Sequence, residues 1–197
     1  MSNHRTIDAT GSGLYDRVIN AMVPRSKNKL KDGEVHPLLY TKDGFQIPSY
    51  IGPGTDLYPK LRNNVKPISA VDKVAMAHDI RYTLARNKDE IREADLQMVS
   101  KLDSIQKNKE DYLYNIYEGK LPIKAKMKME DWGLVGQDTF TNTTSLPNPE
   151  EKELLETHLS ALQADGYGIG AGRGGNYSNT YKESLMKSGI AYSKSVF

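Results

Sequence analysis

The chain has 197 residues, a net charge of +2 and no cysteine. So balanced a charge gives no strong steering toward nucleic acid, and no specific nucleic-acid partner is expected. No stretch approaches the roughly 20 apolar residues that span a bilayer. The N-terminus, Met-Ser-Asn-His-Arg, has no apolar signal stretch, so synthesis in a reducing compartment, off the ordinary secretory route, is expected. Hydrophobic residues make up 38%, too few for the whole length to pack as one core. One domain with attached arms is the expectation.

Residues 1–12 are polar. Ser12 can cap a short helix over residues 13–23, stopped by Pro24, with Leu14, Val18 and Met22 on one face. That face suits docking on the rest of the chain, or anchoring on a partner or a membrane surface. Arg25, Lys27, Lys29 and Lys31 form a basic run that reads as a solvated loop, a localisation signal or a lipid-facing patch. His36 has no clustered ligands and receives no metal role. Residues 38–41 and 45–47 flank Lys42-Asp43-Gly44, which predicts a small hairpin with glycine at the turn. The hairpin delivers the chain to Tyr50-Ile51-Gly52-Pro53-Gly54-Thr55. Two glycines around a proline make a backbone both permissive and stiff. Such a loop is either a plain turn or a cradle of inward carbonyls, the kind of donor that calcium takes together with a carboxylate. The apolar and basic groups at Leu57, Tyr58, Lys60, Leu61, Arg62 and Lys66 suit a lipid surface or a cover over the helices that follow.

Ser69 is an N-cap with Asp72 three residues on, a relaxed capping box. Residues 70–86 contain no Gly or Pro. Val71, Val74, Ala75, His78, Tyr82 and Ala85 share a helical face, Asp79 borders it, and Met76, Ile80 and Leu84 make a second apolar row. This spacing predicts a helix covered on more than one side. A second helix starts near Asp89, with Ile91, Ala94, Asp95, Met98, Val99, Leu102 and Ile105 as its stripe. A carboxylate in the middle of an apolar stripe is costly unless paired. His78 on the facing helix is the partner that periodicity offers Asp95; a backbone or hydroxyl group serving structure alone is the alternative. The stripe is expected to continue through Tyr112, Leu113 and Ile116 and to stop at Gly119. No Gly-x-Ser-x-Gly motif is present. An oxygen-lined loop, a His-Asp pair and a second carboxylate on the histidine are the parts of a calcium-assisted ester hydrolase.

Residues 121–129 alternate, with Lys124, Lys126 and Lys128 set against Ile123, Ala125, Met127 and Met129. Period two predicts an extended segment, with a helix starting at Pro122 as the alternative; the lysine row reads as a solvated face or a phosphate-facing one. Trp132 sits in a loop-like Asp-Trp-Gly and suits an anchor to a partner. Residues 139–149 read as a linker. Residues 149–163 predict a short helix with Leu154, Leu155, Leu159 and Leu162 in its apolar row, a docking element away from the core. His158 lies on it without ligand-like neighbours. Residues 170–175 fit Gly-x-Gly-x-x-Gly but follow no strand, so they read as a flexible linker, not a dinucleotide site. The Ser- and Tyr-rich residues 177–197 read as a tail that orders on a partner.

Taken jointly and in this order, Tyr-x-Gly-Pro-Gly-Thr, the run from Pro67 to Asp72, His78-Asp79-x-x-Tyr82 and Ala94-Asp95 resemble the phospholipase A2-like domain of viral capsid proteins, known best from the parvovirus minor capsid protein. The resemblance covers roughly residues 45–105. It departs in a shorter separation of His78 from Asp95 and in Thr55 where asparagine is usual. It implies a mainly α fold: two packed antiparallel catalytic helices, a calcium-binding loop and a small β-hairpin, plus extended tails. It implies that the carbonyls of Tyr50, Gly52 and Gly54 and the carboxylate of Asp79 hold Ca2+. His78 is then the general base, Asp95 orients it, Tyr82 braces Asp95, and the Gly52 N–H helps stabilise the oxyanion. The expected division is an N-terminal arm (1–35), a catalytic domain (36–118) and a C-terminal arm (119–197). The implied activity is calcium-dependent hydrolysis of the sn-2 ester of glycerophospholipids. The implied setting is a virion whose protein is made in the host cytoplasm or nucleus, whose arms bind other capsid proteins, and whose substrate is a host membrane breached during infection. A non-catalytic capsid cement or scaffold protein using the same fold as a binding module is the alternative, and a non-viral intracellular phospholipase a third.

Overall fold

The structure, a computed structural model, describes residues 36–52, 54–134 and 146–167. The helix expected over residues 13–23, the basic run, most of the linker, the glycine-rich stretch and the tail lie outside the described residues. Two short strands come first, β1 (Leu39–Thr41) and β2 (Gly44–Gln46). They pair antiparallel, Leu39 against Gln46, Tyr40 against Phe45 and Thr41 against Gly44. Gly44 sits at φ 96°, the left-handed region that makes glycine the residue for this turn. The short α1 (Leu57–Arg62) turns Leu57 and Leu61 into the core. The segment left open between lipid surface and cover is therefore a cover through its leucines.

α2 (Ala70–Leu84) begins at Ser69, whose hydroxyl accepts the Asp72 N–H at 3.2 Å. It buries Val71, Val74, Ala75, Met76, Ala77, His78 and Ile80, side chains on nearly every side, as its two apolar rows predict. α3 (Lys88–Asn108) is capped by Asn87 and buries Ile91, Ala94, Asp95, Met98, Leu102 and Ile105. The link from Ala85 to Asn87 is so short that the two helices return side by side as antiparallel neighbours. The mainly helical fold with one small hairpin is the expected one.

Beyond Ile105 the structure departs from the expectation. α3 does not continue through Tyr112 to Ile116: Lys109 adopts φ 58° and ends it. A new helix, α4 (Leu113–Asp131), runs through both Gly119 and Pro122. Gly119 is not a stop. It is buried against α2 and α3, and a Cβ there would lie 3.0 Å from Val71 Cγ1 and 3.3 Å from Leu102 Cδ1. Nor are residues 121–129 extended: Ile116, Gly119, Lys126 and Glu130 share a buried face at helical spacing, so the helical alternative holds and the lysine row does not wholly face water. The junction expected at residue 118 falls inside this helix. Trp132 follows at its end, 69% exposed.

α5 (Pro149–Ala164) carries a full capping box between Asn148 and Glu151. It is not remote from the core. Leu155 and Leu162 belong to the main hydrophobic cluster, and the helix packs on α1 and α2. His158 Nε2 lies 3.1 Å from the Leu61 carbonyl, where its N–H satisfies a C-terminal carbonyl of α1. Among the described residues no helix is long and apolar enough to cross a membrane.

The close approach at Gly119 generates a test. Gly119→Val puts a branched side chain where even a Cβ is crowded and should destabilise the protein by about 1–3 kcal/mol, the usual cost of overpacking. Urea denaturation measures it; unchanged or raised stability would contradict this packing.

Candidate active site

The glycine loop is held at its base by a buried carboxylate. Asp72, fully buried in the first turn of α2, accepts the backbone N–H groups of Ser49 (3.0 Å), Tyr50 (2.8 Å), Ile51 (3.0 Å) and Ile68 (3.0 Å). Aspartate is one methylene too short to complete the reciprocal capping box, so its oxygens are available to these donors. His36 Nδ1 meets the Ile51 carbonyl at 2.6 Å. Tyr50 is buried, and its hydroxyl donates to the Val65 carbonyl at 2.7 Å. Burial and the nearby Asp72 and Asp79 charges push that phenol up to about 12, so the side chain is a neutral pin and leaves the Tyr50 carbonyl as its functional atom.

Two of the loop carbonyls converge. The Thr55 hydroxyl lies 3.0 Å from the Tyr50 carbonyl oxygen and 3.1 Å from that of Gly52, so threonine at the position where the resemblance has asparagine serves this pair. Gly52 and Gly54 take φ values of 133° and 80°, the region that glycine alone enters freely. The two contacts of Thr55 go to Tyr50 and Gly52 and not to Gly54.

The base and its carboxylates lie on the facing helices. His78 Nε2 is 2.9 Å from Asp95 Oδ1, and the Tyr82 hydroxyl donates to the same oxygen at 2.6 Å. The partner of Asp95 is thus the histidine together with a hydroxyl. The tyrosine sits one turn along α2 from His78, with ring centroids 4.3 Å apart. A third donor was not foreseen: Lys126 Nζ, on α4, lies 2.6 Å from Asp95 Oδ2. Lys126 also lies 2.6 Å from Glu130 Oε1, an ion pair without hydrogen-bond alignment, and Arg92 holds the other Glu130 oxygen at 3.2 Å. Its signal in the sequence was its spacing from Ile116, Gly119 and Glu130 on a helix. Alternation with apolar neighbours masked it.

Burial alone would raise Asp95, but the hydrogen bond and charge of His78 and the Lys126 ammonium hold it below the usual carboxylate range. Burial pulls His78 down, while Asp79 and Asp95 together push it up further, and the net is a pKa above the ordinary histidine value. With Nε2 committed to Asp95, Nδ1 is the nitrogen that can accept a proton. It lies 3.5 Å from Asp79 Oδ1.

Asp79 itself is incomplete. Its side chain keeps 26% of its surface exposed, yet Oδ2 is shut from solvent and accepts no hydrogen bond. Burial pushes its carboxyl up, against the opposing pull of His78. An orphaned carboxylate oxygen is where a cation belongs. Among the described residues no three His, Asp or Glu side chains cluster around a metal position, but the expected set needs only one carboxylate beside backbone carbonyls. The orphaned oxygen and the Tyr50 and Gly52 carbonyls are oxygen donors of the kind such a hard cation takes. His78 lines a small hollow between α2 and α3 with Val74, Ala77, Ala94 and Met98, and Arg81 and Lys101 are also on it.

Residues 43–124 match the family model of the phospholipase A2-like domain, a match that supports a phospholipase-type hydrolase at the level of the family. No curated protein and no solved structure matches the chain.

Asp95→Asn tests the ionic assignment. The variant leaves the Lys126 ammonium buried against a neutral amide, and loss of one member of a buried pair costs about 3–5 kcal/mol. Because the folded pKa of Asp95 is depressed, its contribution is present above the unfolded value of about 3.9 and is lost as pH falls through the folded one. Urea melts should show the full deficit at neutral pH and a shrinking one below about pH 3.9. A deficit of equal size across that range would contradict the pairing.

Proposed function

We propose that this chain is a calcium-dependent phospholipase A2, hydrolysing the sn-2 ester of glycerophospholipids. The observation that carries the reading is the His78 imidazole, tethered through Nε2 to a buried Asp95 at 2.9 Å, with Nδ1 turned toward a carboxylate that has an orphaned oxygen. His78 Nδ1 takes a proton from a water molecule, and that water attacks the ester carbonyl. Asp95 keeps the imidazole in the required tautomer and stabilises the imidazolium that forms. Tyr82 holds Asp95 in place. The Gly52 N–H is assigned to the oxyanion. The Tyr50, Gly52 and Gly54 carbonyls and Asp79 would hold calcium, which would supply polarisation of the ester carbonyl and charge for the oxyanion. The protonated imidazole then returns its proton to the leaving alkoxide.

A lipid substrate is supported further by the outer face of the hairpin. Tyr40, Phe45 and Tyr112 are exposed there, with Tyr40 edge-on to both Phe45 and Tyr112. Amphipathic rings of this kind suit the headgroup level of a membrane. The setting we propose is a virion, with the chain as a minor capsid protein bound to other capsid proteins through its N- and C-terminal arms, and its substrate a host membrane. Support for that setting comes from the ordered motifs resembling viral capsid phospholipase domains and from a chain without cysteine, suited to assembly inside a cell.

The test is release of labelled sn-2 fatty acid from mixed phospholipid micelles, with calcium and with a chelator, for the parent and for His78→Asn. Calcium-dependent release is expected, and removal of the general base should lower it by about 100- to 10,000-fold. No release from folded protein in saturating calcium would overturn the reading in favour of a binding module.

A further inference from the structure

Asp95 divides its two oxygens between two tasks. Oδ1 receives His78 and Tyr82, and Oδ2 receives the Lys126 ammonium at 2.6 Å. We propose that Lys126 is a positioning residue for the hydrolysis: it locks the Asp95 carboxylate from behind, so that Oδ1 stays committed to the imidazole. The inference rests on His78 being the base. Lys126 lies beyond the segment 43–124 that matches the family model, on a helix that delivers neither the base nor the loop.

A carboxylate turns easily about its terminal torsion, and its two oxygens are equivalent. A short charge-assisted hydrogen bond on one oxygen removes that freedom. Lys126 is itself braced. Its side chain is 2% exposed, beside Glu130 at 1% and Asp95 at 0%. Arg92 reaches from α3 to Glu130 at 3.2 Å, to Asp131 at 2.8 Å and to the Met127 carbonyl at 3.2 Å. The Tyr82 ring lies 5.3 Å from the ammonium, so the two groups that hold Asp95 also touch each other. Two cations, Lys126 and Arg92, face two buried carboxylates, Asp95 and Glu130. The buried charges balance, with Asp131 an exposed further partner of Arg92, and Asp95 stays ionised.

Fold stability alone does not call for this arrangement. Apolar residues of similar volume commonly replace a buried ion pair with no loss, or with a gain, of stability. A methionine at position 126 would pack α4 onto α3 without desolvating an ammonium. What methionine cannot do is hold Oδ2.

The test uses the full chain in four forms: the parent, Lys126→Met, Lys126→Arg and, as a core truncation away from the network, Leu155→Ala. Steady-state release is measured in saturating calcium, well below each melting temperature. Lys126→Met should lower kcat on the order of 10- to 100-fold, the effect of removing a partner that orients a functional group. KM and the calcium Kd should not move, because Lys126 touches neither substrate nor the cation site. Lys126→Arg keeps the charge but not the point contact and should fall between. Leu155→Ala should lose melting temperature and keep kcat. A folded Lys126→Met with parental kcat overturns the proposal, as does Leu155→Ala losing as much as Lys126→Met. If only Lys126→Arg folds, parental kcat in that variant overturns it equally. Exchange of the His78 Nε2 proton, followed by NMR, gives a readout free of activity: slow in the parent and fast in the Lys126 variant. Equal exchange in both contradicts the positioning role even if the parent hydrolyses no phospholipid, a result that would defeat the proposed function separately.

Discussion

A carboxylate with no access to water must find its donors inside the protein, and Asp95 is such a group. Stranded, it would cost several kcal/mol or give up its charge. Everything around it answers that demand. α2 supplies an imidazole and a phenol one turn apart, and α4 supplies an ammonium. The three donors come from two helices that α3 must touch at once, so the pairing of side chains and the packing of helices are one constraint. The same constraint gives His78 its chemistry. A nitrogen tied to a buried anion leaves the other nitrogen as the base.

A second buried carboxylate does for the loop what Asp95 does for the base. Asp72 gathers four backbone N–H groups from residues on either side of the loop and α1. It sits two turns before Asp79 on α2, so one helix fixes both the start of the loop and the side chain the loop must face. Asp79 is the one carboxylate of the three left with an unmet oxygen. Asp95 and Asp72 are fully satisfied and Glu130 Oε1 has the Lys126 ammonium 2.6 Å away, so the gap at Asp79 points to a ligand.

Much of this was legible in the sequence because α2 and α3 follow simple rules. Ser69 caps the first, the apolar rows of both hold period, and Asp95 stands out as a charge on an apolar stripe. The hairpin was legible from Gly44. Other elements were hidden for physical reasons. α4 disguises itself: Lys126 and Glu130 occupy core positions, and a reading that sends charge to the surface finds alternation instead of a helix. Gly119 looked like a stop because glycine usually ends helices, whereas here its missing side chain lets α4 approach Val71 and Leu102. Asp72 read as part of a cap, and nothing local marks it as the acceptor for residues more than twenty positions away. α5 announced its apolar row but not its partner, which is the chain's own α1 and α2.

The proposed chemistry requires one particular nitrogen of His78 to carry the proton when the ring is neutral. The chain has four histidines, so 15N NMR of histidine-labelled protein, with His78→Asn for assignment, reads that state directly above the titration of the ring. The expected result is a ring protonated on Nε2, toward Asp95, with Nδ1 bare. A neutral ring protonated on Nδ1 would leave no base facing Asp79 and would contradict the mechanism at its centre.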